Sequence, residues 1–391
     1  MGLLAITGMP DLAPLLTPDP KELVDLVRAL HADAAPWCPS GLGQHLHWGP
    51  PLSAKSTVLS LRRHNRVLEH AVGDFTVQVE AGLPLHTLQQ ALAEQGQWLP
   101  IDPPLAGDSS IGGVVARGLS GALRHRYMGL RDQLIGIGLL RSDGTRAQAG
   151  GRVVKNVAGY DLMRLLCGSW GSLALITSLT LRTQPLPRQR LQLQLSGSRT
   201  ALQQLRQELL LRSPLAPERL CWCHQGQQSR LLLSLVGLNG AAVAAQQAQL
   251  NDLCGSAIEV ELIEPAQLQP TAVAADQWLL RLAVQPAQVV NLLEQQHGPW
   301  QLQLTAASGL GLARASGGDA MEHQVSLLRQ QCDALGGFLT VLQSPQPCHL
   351  PAWGDAPHRP LIEALKRRFD PLQQLNRGRL PGVEPRQALS L

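Results

Sequence analysis

Asp102-Pro103-Pro104-Leu105-Ala106-Gly107-Asp108-Ser109-Ser110-Ile111-Gly112-Gly113 is the stretch on which the reading of the fold turns. Its Ser110 is a potential N-cap for the apolar run Ile111-Gly112-Gly113-Val114-Val115-Ala116. A diphosphate needs donors that approach closely, and backbone N–H groups do so where glycine removes the Cβ and a helix start adds its positive end. The loop therefore predicts an anion-receptive helix start. A second loop, Pro39-Ser40-Gly41-Leu42-Gly43, lies upstream. Either alone reads as an ordinary turn, because Gly and Pro mark turns generally. Gly41-Leu42-Gly43-Gln44-His45-Leu46 lacks the third glycine of G-x-G-x-x-G, and no G-x-x-x-x-G-K pattern occurs, which argues against a standard Rossmann or ATP site.

Working outward, Leu23, Leu26, Val27 and Leu30 share a helical face that ends before Ala35-Pro36. Residues 57–61 and 75–79 read as strands, the second closed by Ala81-Gly82. Pro84 opens a helix on which Leu85, Leu88 and Leu92 align, with Gly96 as its left-handed cap. Residues 134–140 and 173–181 are strands, and Ser142-Asp143-Gly144-Thr145 is a turn. Pro185 and Pro187 then punctuate the chain and place a domain boundary at 187. Beyond it, strands at 191–195, 220–223, 230–236, 258–263, 278–284, 301–305 and 338–342 interleave with helices at 200–211, 241–253, 287–297 and 322–335. This mixture predicts a smaller α+β cap over 188–350, built of one or two ferredoxin-like units. Residues 345–360 form a linker to a last helix at 361–369 and a tail, so that 351–391 returns to the first lobe.

A chain of 391 residues exceeds one ordinary domain, since single cores stop growing near about 250 residues. No apolar run approaches the roughly 18 residues of a membrane span, and the patch at 3–6 is too short for a signal peptide. The seven cysteines are scattered, which fits a reducing cytoplasm. Cys221, Cys223 and His224 lie close together without a second ligand pair, so no metal site is expected. Basic clusters at Arg62, Arg63 and Arg66 and at Arg124, His125 and Arg126 come with only 3% aromatic residues, and read as solvated faces or anion sites, not as nucleic-acid contacts.

Seven short motifs in order carry a resemblance: Val77-Gln78-Val79-Glu80-Ala81-Gly82, Ile111-Gly112-Gly113, Gly129-Leu130-Arg131-Asp132, Ser142-Asp143-Gly144, Lys155-Asn156-Val157-Ala158-Gly159-Tyr160-Asp161-Leu162, Gly168-Ser169-Trp170-Gly171-Ser172-Leu173 and Phe369-Asp370-Pro371. The chain resembles the vanillyl-alcohol-oxidase-type, or PCMH-type, FAD-binding family, and within it the FAD-binding accessory subunits of bacterial glycolate oxidase. The resemblance implies a two-lobed PCMH-type FAD-binding domain over 1–187 with non-covalent FAD. Pro39, Ser40, Gly41, Leu42 and Gly43 with Pro103, Pro104, Ser110, Ile111, Gly112 and Gly113 would cradle the pyrophosphate. Ala116 and Gly118 would lie near the isoalloxazine or ribityl chain, Ile176 would meet the adenine end through its backbone, and Asp132 and Gly171 would complete the site. Three departures stand out: Leu42 interrupts the first glycine run, Arg117-Gly118 stands where an Asn often follows the Gly-Gly helix, and Asn376-Arg377-Gly378-Arg379 lacks a proline of the family's C-terminal pattern. Asp161 and Arg164 read as a structural ion pair. His45 and His47 follow the first loop at a spacing that does not match a flavin-attachment motif.

Oxidising a 2-hydroxy acid requires a cation for the carboxylate, a base or metal for the hydroxyl proton and flavin to accept hydride. The cap histidines His224, His297 and His323 are far apart and form no paired motif. Arg124, His125, Arg126 and Arg131 read either as an anion pocket or as a basic surface turn. The resemblance thus implies an FAD-binding subunit of a multi-subunit glycolate oxidase or dehydrogenase, working beside a catalytic flavoprotein subunit and an iron–sulfur subunit. It would lie in the cytoplasm, or at the inner membrane through those partners. The cysteines lack cluster spacing of their own. Two other readings stay open: a self-sufficient FAD-dependent 2-hydroxy-acid dehydrogenase, and a structural subunit that has lost FAD.

Overall fold

The computed structural model describes residues 14–53, 55–151, 161–268, 273–317 and 321–385. Tyr160 and most of the Lys155-to-Leu162 motif lie outside the described residues. The first core gathers Leu23, Val27 and Leu30 of helix Leu23–Ala32 with Leu88 and Leu92 of helix Leu85–Ala93, packed on two sheets. One sheet has three parallel strands in the order Leu15–Leu16, Thr57–Ser60, Trp37–Ser40. The other has five antiparallel strands in the order Val67–Ala71, Thr76–Glu80, Leu175–Arg182, Leu134–Leu140, Arg146–Gly150. Gly96 caps its helix with φ +66°, and Gly144 turns the hairpin at 142–145 with φ +78°. Strand Trp37–Ser40 is not foreseen from sequence, because a parallel strand packed on both faces has no alternation, and Pro39 argues against one.

The second core lies under an eight-stranded antiparallel sheet. Its order is Ile258–Leu262, Gln189–Gly197, Gln228–Gly237, Arg219–Gln225, Gln301–Thr305, Leu310–Ser316, Gln277–Ala283, Phe338–Gln343. In chain order each half runs strand, helix, strand, strand, helix, strand. The halves are therefore two ferredoxin-like units, joined edge to edge where Cys221 pairs with Thr305. Alternation buries Leu193, Leu195, Trp222, Leu233, Leu280, Leu304 and Val341 beneath helices Arg199–Leu211, Gly240–Cys254, Val289–Glu294 and Met321–Ala334. Ser198 and Asn239 cap the first two helices, accepting from Ala201 N at 3.2 Å and Ala242 N at 2.9 Å. Strand Leu310–Ser316 is absent from the sequence reading because Gly311, Ala313 and Ala315 carry little strand signal. Gly311 is required there, since a Cβ would lie 2.0 Å from Gln303 O.

The other face of this sheet meets the first lobe. Leu279, Leu312 and Leu342 pack with Trp48, Leu119, Trp170 and Trp353, and Cys221 and Leu232 pack with Ala122. His224, one residue along the strand from Cys223 and three from Cys221, points the opposite way and bonds Ser229 Oγ through Nδ1 at 2.9 Å. A polar latch adds to the apolar contact. Asp102 accepts from Leu123 N at 3.1 Å and pairs with Arg219 of the cap at 3.2 Å. Burial outweighs Arg219 and lifts the Asp102 carboxyl to about 6, so the pair is fully formed only above that pH. Asp102→Ala leaves Arg219 without its counter-charge and Leu123 N without an acceptor. It is expected to lower the stability of the chain by about 2–3 kcal/mol at pH 7.5, read by urea unfolding. A loss below about 0.5 kcal/mol would show that the apolar contacts alone hold the cap.

Helix Arg359–Phe369 and the segment after it return to the first lobe. Trp37 N donates to Gln374 O at 2.9 Å and Asn376 N to Trp37 O at 2.8 Å, which places the segment alongside the first glycine loop's own strand. Leu375 enters the first core. Lys366 Nζ donates to Ser172 O at 2.7 Å, Leu375 O at 2.8 Å and Asp370 Oδ2 at 2.6 Å.

Candidate functional site

Both glycine loops line one cleft, together with residues 170–176 and two residues of the returning tail, Asn376 and Arg379. The loops touch at Gly41, where a Cβ would lie 1.8 Å from Ser110 Oγ and 2.8 Å from Ser110 Cβ. The first loop hangs from strand Thr57–Ser60, with Ser60 Oγ donating to Gly41 O and Leu61 N to Ser40 O, both at 2.8 Å. Gly43 sits at φ +83°. Among the described residues, the backbone N–H groups of Gly41, Leu42, Gly43, Gln44 and His45 have no acceptor. All five residues line the cleft.

The second loop behaves differently from the sequence expectation. In helix Ile111–Arg117, Ile111 N donates to Leu83 O and Gly112 N to Ala81 O, both at 2.8 Å. Gly113 N donates to the capping Ser110 Oγ at 3.2 Å. The start of this seven-residue helix is therefore satisfied within the fold and offers an anion little. Gly112 serves close packing, because a Cβ there would meet Ala81 O at 2.6 Å.

At the other end of the helix, Gly168 N donates to Val115 O at 3.0 Å and Trp170 N to Ala116 O at 2.9 Å. These bonds hold Trp170 in a left-handed conformation, φ +56°, that bulky side chains seldom adopt. Its indole carries two guanidiniums: Arg117 Cζ lies 3.9 Å and Arg379 Cζ 5.8 Å from the ring centroid. Arg117 donates to His45 O, Arg379 to Trp48 O and Asn376 Nδ2 to Trp170 O. Burial, and then the nearby Arg379 charge, bring Arg117 down to about 9; burial also lowers Arg379. Among the described residues, no Asp or Glu lines the cleft.

His45 lies at the cleft wall, stacked on Trp48 with ring centroids 3.8 Å apart. Its Nε2 donates to Leu105 O at 2.9 Å and its Nδ1 accepts from Ser109 Oγ at 3.3 Å. Burial, helped by the Arg117 charge, pulls its pKa from 6.5 to about 4. The unfolded chain gains a proton near pH 6.5 that the folded chain refuses until about 4, so stability contributed by neutral His45 is lost as pH falls through that window. His45→Gln keeps a donor for Leu105 O and cannot titrate. Its stability is expected to fall by about 3 kcal/mol less than wild type between pH 6.5 and pH 4, measured by urea unfolding. Identical acid branches would refute the assignment.

Of the residues singled out in the sequence, Pro39, Ser40, Gly41, Leu42, Gly43, Ser110, Gly112, Gly113, Ala116, Gly171 and Ile176 line the cleft together. Ile111 is buried in the first core. Gly118 caps the helix at φ +63°, with room for no Cβ because Gly168 Cα would lie 2.8 Å away. Pro104 lines a separate small cavity beside Asp102 and Arg219, Pro103 is buried outside the cleft lining, and Asp132 caps the next turn by accepting from Gly129 N at 3.2 Å. The basic turn at 124–126 is absent from the cleft lining. Arg126 there donates to Ala216 O of the cap. Asp161 and Arg164 form an exposed pair at 3.7 Å. Cys38, His45, Arg117, Trp170, Asn376 and Arg379 line the cleft without having been assigned to it from sequence. Arg117 does stand out there as a departure from the expected motif, whereas Arg379 is the arginine that the C-terminal pattern keeps.

Residues 15–150 match the family described as FAD binding domain, so FAD is the cofactor of this part of the chain. The cleft fits it: a glycine approach that a Cβ would fill and, among the described residues, backbone donors without acceptors and cations with no acid in the lining. The chain is 31% identical to glycolate oxidase subunit GlcE of Escherichia coli over 229 residues, 58% of this chain and 63% of that protein. It is 35% identical to D-2-hydroxyglutarate dehydrogenase of Xanthomonas citri over 168 residues, 43% of this chain and 36% of that enzyme. Against probable D-lactate dehydrogenase of Danio rerio it is 34% identical over 170 residues, which is 34% of that protein's length. The chain thus spans less than two thirds of each of these relatives. Among solved structures, alkyldihydroxyacetonephosphate synthase shares the fold, with a TM-score of 0.67 at 15% identity, over 94% of this chain and 77% of that one.

Proposed function

We propose that this chain, whose residues 15–150 are an FAD-binding domain, serves as the FAD-binding subunit of a multi-subunit glycolate oxidase or dehydrogenase. The observation that carries the reading is the cleft between the two loops, with its free donors and uncompensated cations. The likeness to a glycolate oxidase subunit supports it. In this reading residues 1–187 hold the cofactor, 188–350 cap it, and 351–391 close the lobe from behind.

Converting glycolate to glyoxylate removes a hydride from the carbinol carbon and a proton from its hydroxyl. FAD supplies the two-electron acceptor chemistry when bound. The first loop, residues 39–43, would hold the cofactor through the backbone donors at 41–45, Ala116 and Gly171 would set the walls, and the Ile176 strand would meet the adenine end. Trp48 and Trp170, packed under the cap sheet, keep water from that region. A catalytic flavoprotein subunit and an iron–sulfur subunit complete the reaction and carry the electrons onward. The complex works in the cytoplasm or at the inner membrane through those partners; no helix among the described residues is long and apolar enough to cross a membrane.

The visible spectrum tests this reading. The isolated chain is expected to carry flavin that acid precipitation releases into the supernatant, since both ring nitrogens of His45 are already engaged. Glycolate is expected to bleach it only after the partner subunits are added. Turnover of glycolate or D-lactate by the isolated chain with an artificial acceptor would favour the second reading, a self-sufficient dehydrogenase, which the likeness to D-lactate and D-2-hydroxyglutarate dehydrogenases supports. A colourless chain that takes up no FAD would overturn both.

A further inference from the structure

We propose that Arg117 and Arg379, set against the Trp170 indole, are the charge partners of the cofactor's diphosphate, so that the phosphates and not the flavin ring dominate recognition. This rests on the reading that FAD occupies the cleft. Three observations converge on it. Arg379 is fully buried, and its Nε and Nη1, like Nη1 of Arg117, have no hydrogen-bond partner among the described residues. A buried guanidinium and a half-buried one, each with an orphaned donor, are costly unless an anion meets them. Among the described residues the cleft lining contains no carboxylate, and burial raises the pKa of the neighbouring Cys38 and keeps it a neutral thiol.

Position selects the diphosphate over other anions. Both arginines flank the first glycine loop: Arg117 bonds His45 O just after it, and Arg379 lies beside Cys38 just before it and bonds Trp48 O. Residues 41–45, whose N–H groups have no acceptor among the described residues, line the same cleft. The second loop has its N–H groups at 111–113 engaged, so backbone alone supplies half of the expected cradle. Two fixed cations match the two negative charges of a diphosphate, and the planar fork of arginine suits phosphate oxygens. The bonds to His45 O and Trp48 O and the indole contact hold the guanidiniums in place before the ligand arrives.

Equilibrium binding to the full chain tests this with FAD, ADP-ribose and riboflavin as probes. Wild type is expected to bind ADP-ribose within about tenfold of FAD and riboflavin at least a hundredfold more weakly. Arg117→Gln is expected to weaken FAD and ADP-ribose together by ten- to a hundredfold and leave riboflavin unchanged, while Arg117→Lys, which keeps the charge, loses less. As a measurement that needs no variant, ADP-ribose affinity for wild type should fall about tenfold or more between about 50 mM and about 500 mM salt. Salt-independent binding, or an Arg117→Gln variant that loses FAD and riboflavin equally, would overturn the proposal and place the guanidinium at the ring. Wild type that binds neither FAD nor ADP-ribose would remove the occupied-cleft reading itself, and the proposal with it.

Discussion

Lys366→Met is expected to cost the folded chain about 3–5 kcal/mol. The ammonium has three donors and the fold uses all of them, on Asp370, Ser172 and Leu375. Lys366 and Asp370 have 8% and 0% of their side-chain surface exposed, so methionine would leave a carboxylate in the interior with only Leu375 N to satisfy it. Against a total stability of roughly 5–15 kcal/mol, that is a large fraction. Two consequences distinguish this from general damage. Lys366→Met/Asp370→Asn, which removes the stranded charge and keeps an acceptor for Leu375 N, should recover about half of the loss. FAD affinity should fall in the single variant, because Asn376 and Arg379 reach the cleft from the same segment. Urea unfolding followed by tryptophan fluorescence gives the first number and fluorescence titration the second. A loss under about 1 kcal/mol would mean that Leu375 and the strand contact to Trp37 anchor the tail without the ion pair.

Gly41→Ala is expected to weaken FAD binding by at least about a hundredfold, with a stability loss of about 1–3 kcal/mol. The added carbon would fall within 1.8 Å of Ser110 Oγ and 2.8 Å of Ser110 Cβ, so no rotation of the serine relieves both contacts. The first loop must then leave its seat on Ser60, and its free N–H groups lose their common direction. Ser110→Gly alone removes the helix cap on Gly113 and should cost only about a few tenths of a kcal/mol. The double variant Gly41→Ala/Ser110→Gly should bind FAD better than Gly41→Ala, a coupling that only direct contact between the loops explains. If the double variant binds no better than Gly41→Ala, the loops do not meet as described.

Much of the cap was legible because its chemistry is repetitive. Leu193 and Leu195, Leu231 and Leu233, and Leu280 and Leu282 alternate on strands, while Leu202, Leu205 and Leu209 repeat at helical spacing, so the ferredoxin-like pattern shows in the chain itself. Where burial is achieved with small residues, as at Gly311, Ala313 and Ala315, the same sheet leaves no such trace. The Asp102 loop was legible as a loop, yet its first residue serves the cap through Arg219 and only its end at 109–113 lines the cleft.

The sequence by itself determined which segments carry glycine and in what order, because missing Cβ atoms and apolar periodicity are local properties. It thereby determined that two loops and a tail belong to one FAD lobe. Only the tertiary structure decided which donors remain for a ligand. The N–H groups at 111–113 are engaged by Ala81, Leu83 and Ser110, while those at 41–45 have no acceptor among the described residues. Arg117, read in the chain as a departure from a motif, and Arg379, which keeps the C-terminal pattern, stand together on Trp170. The reason is physical: whether a polar group is free depends on what the fold places opposite it, and segments remote in sequence supply that neighbour.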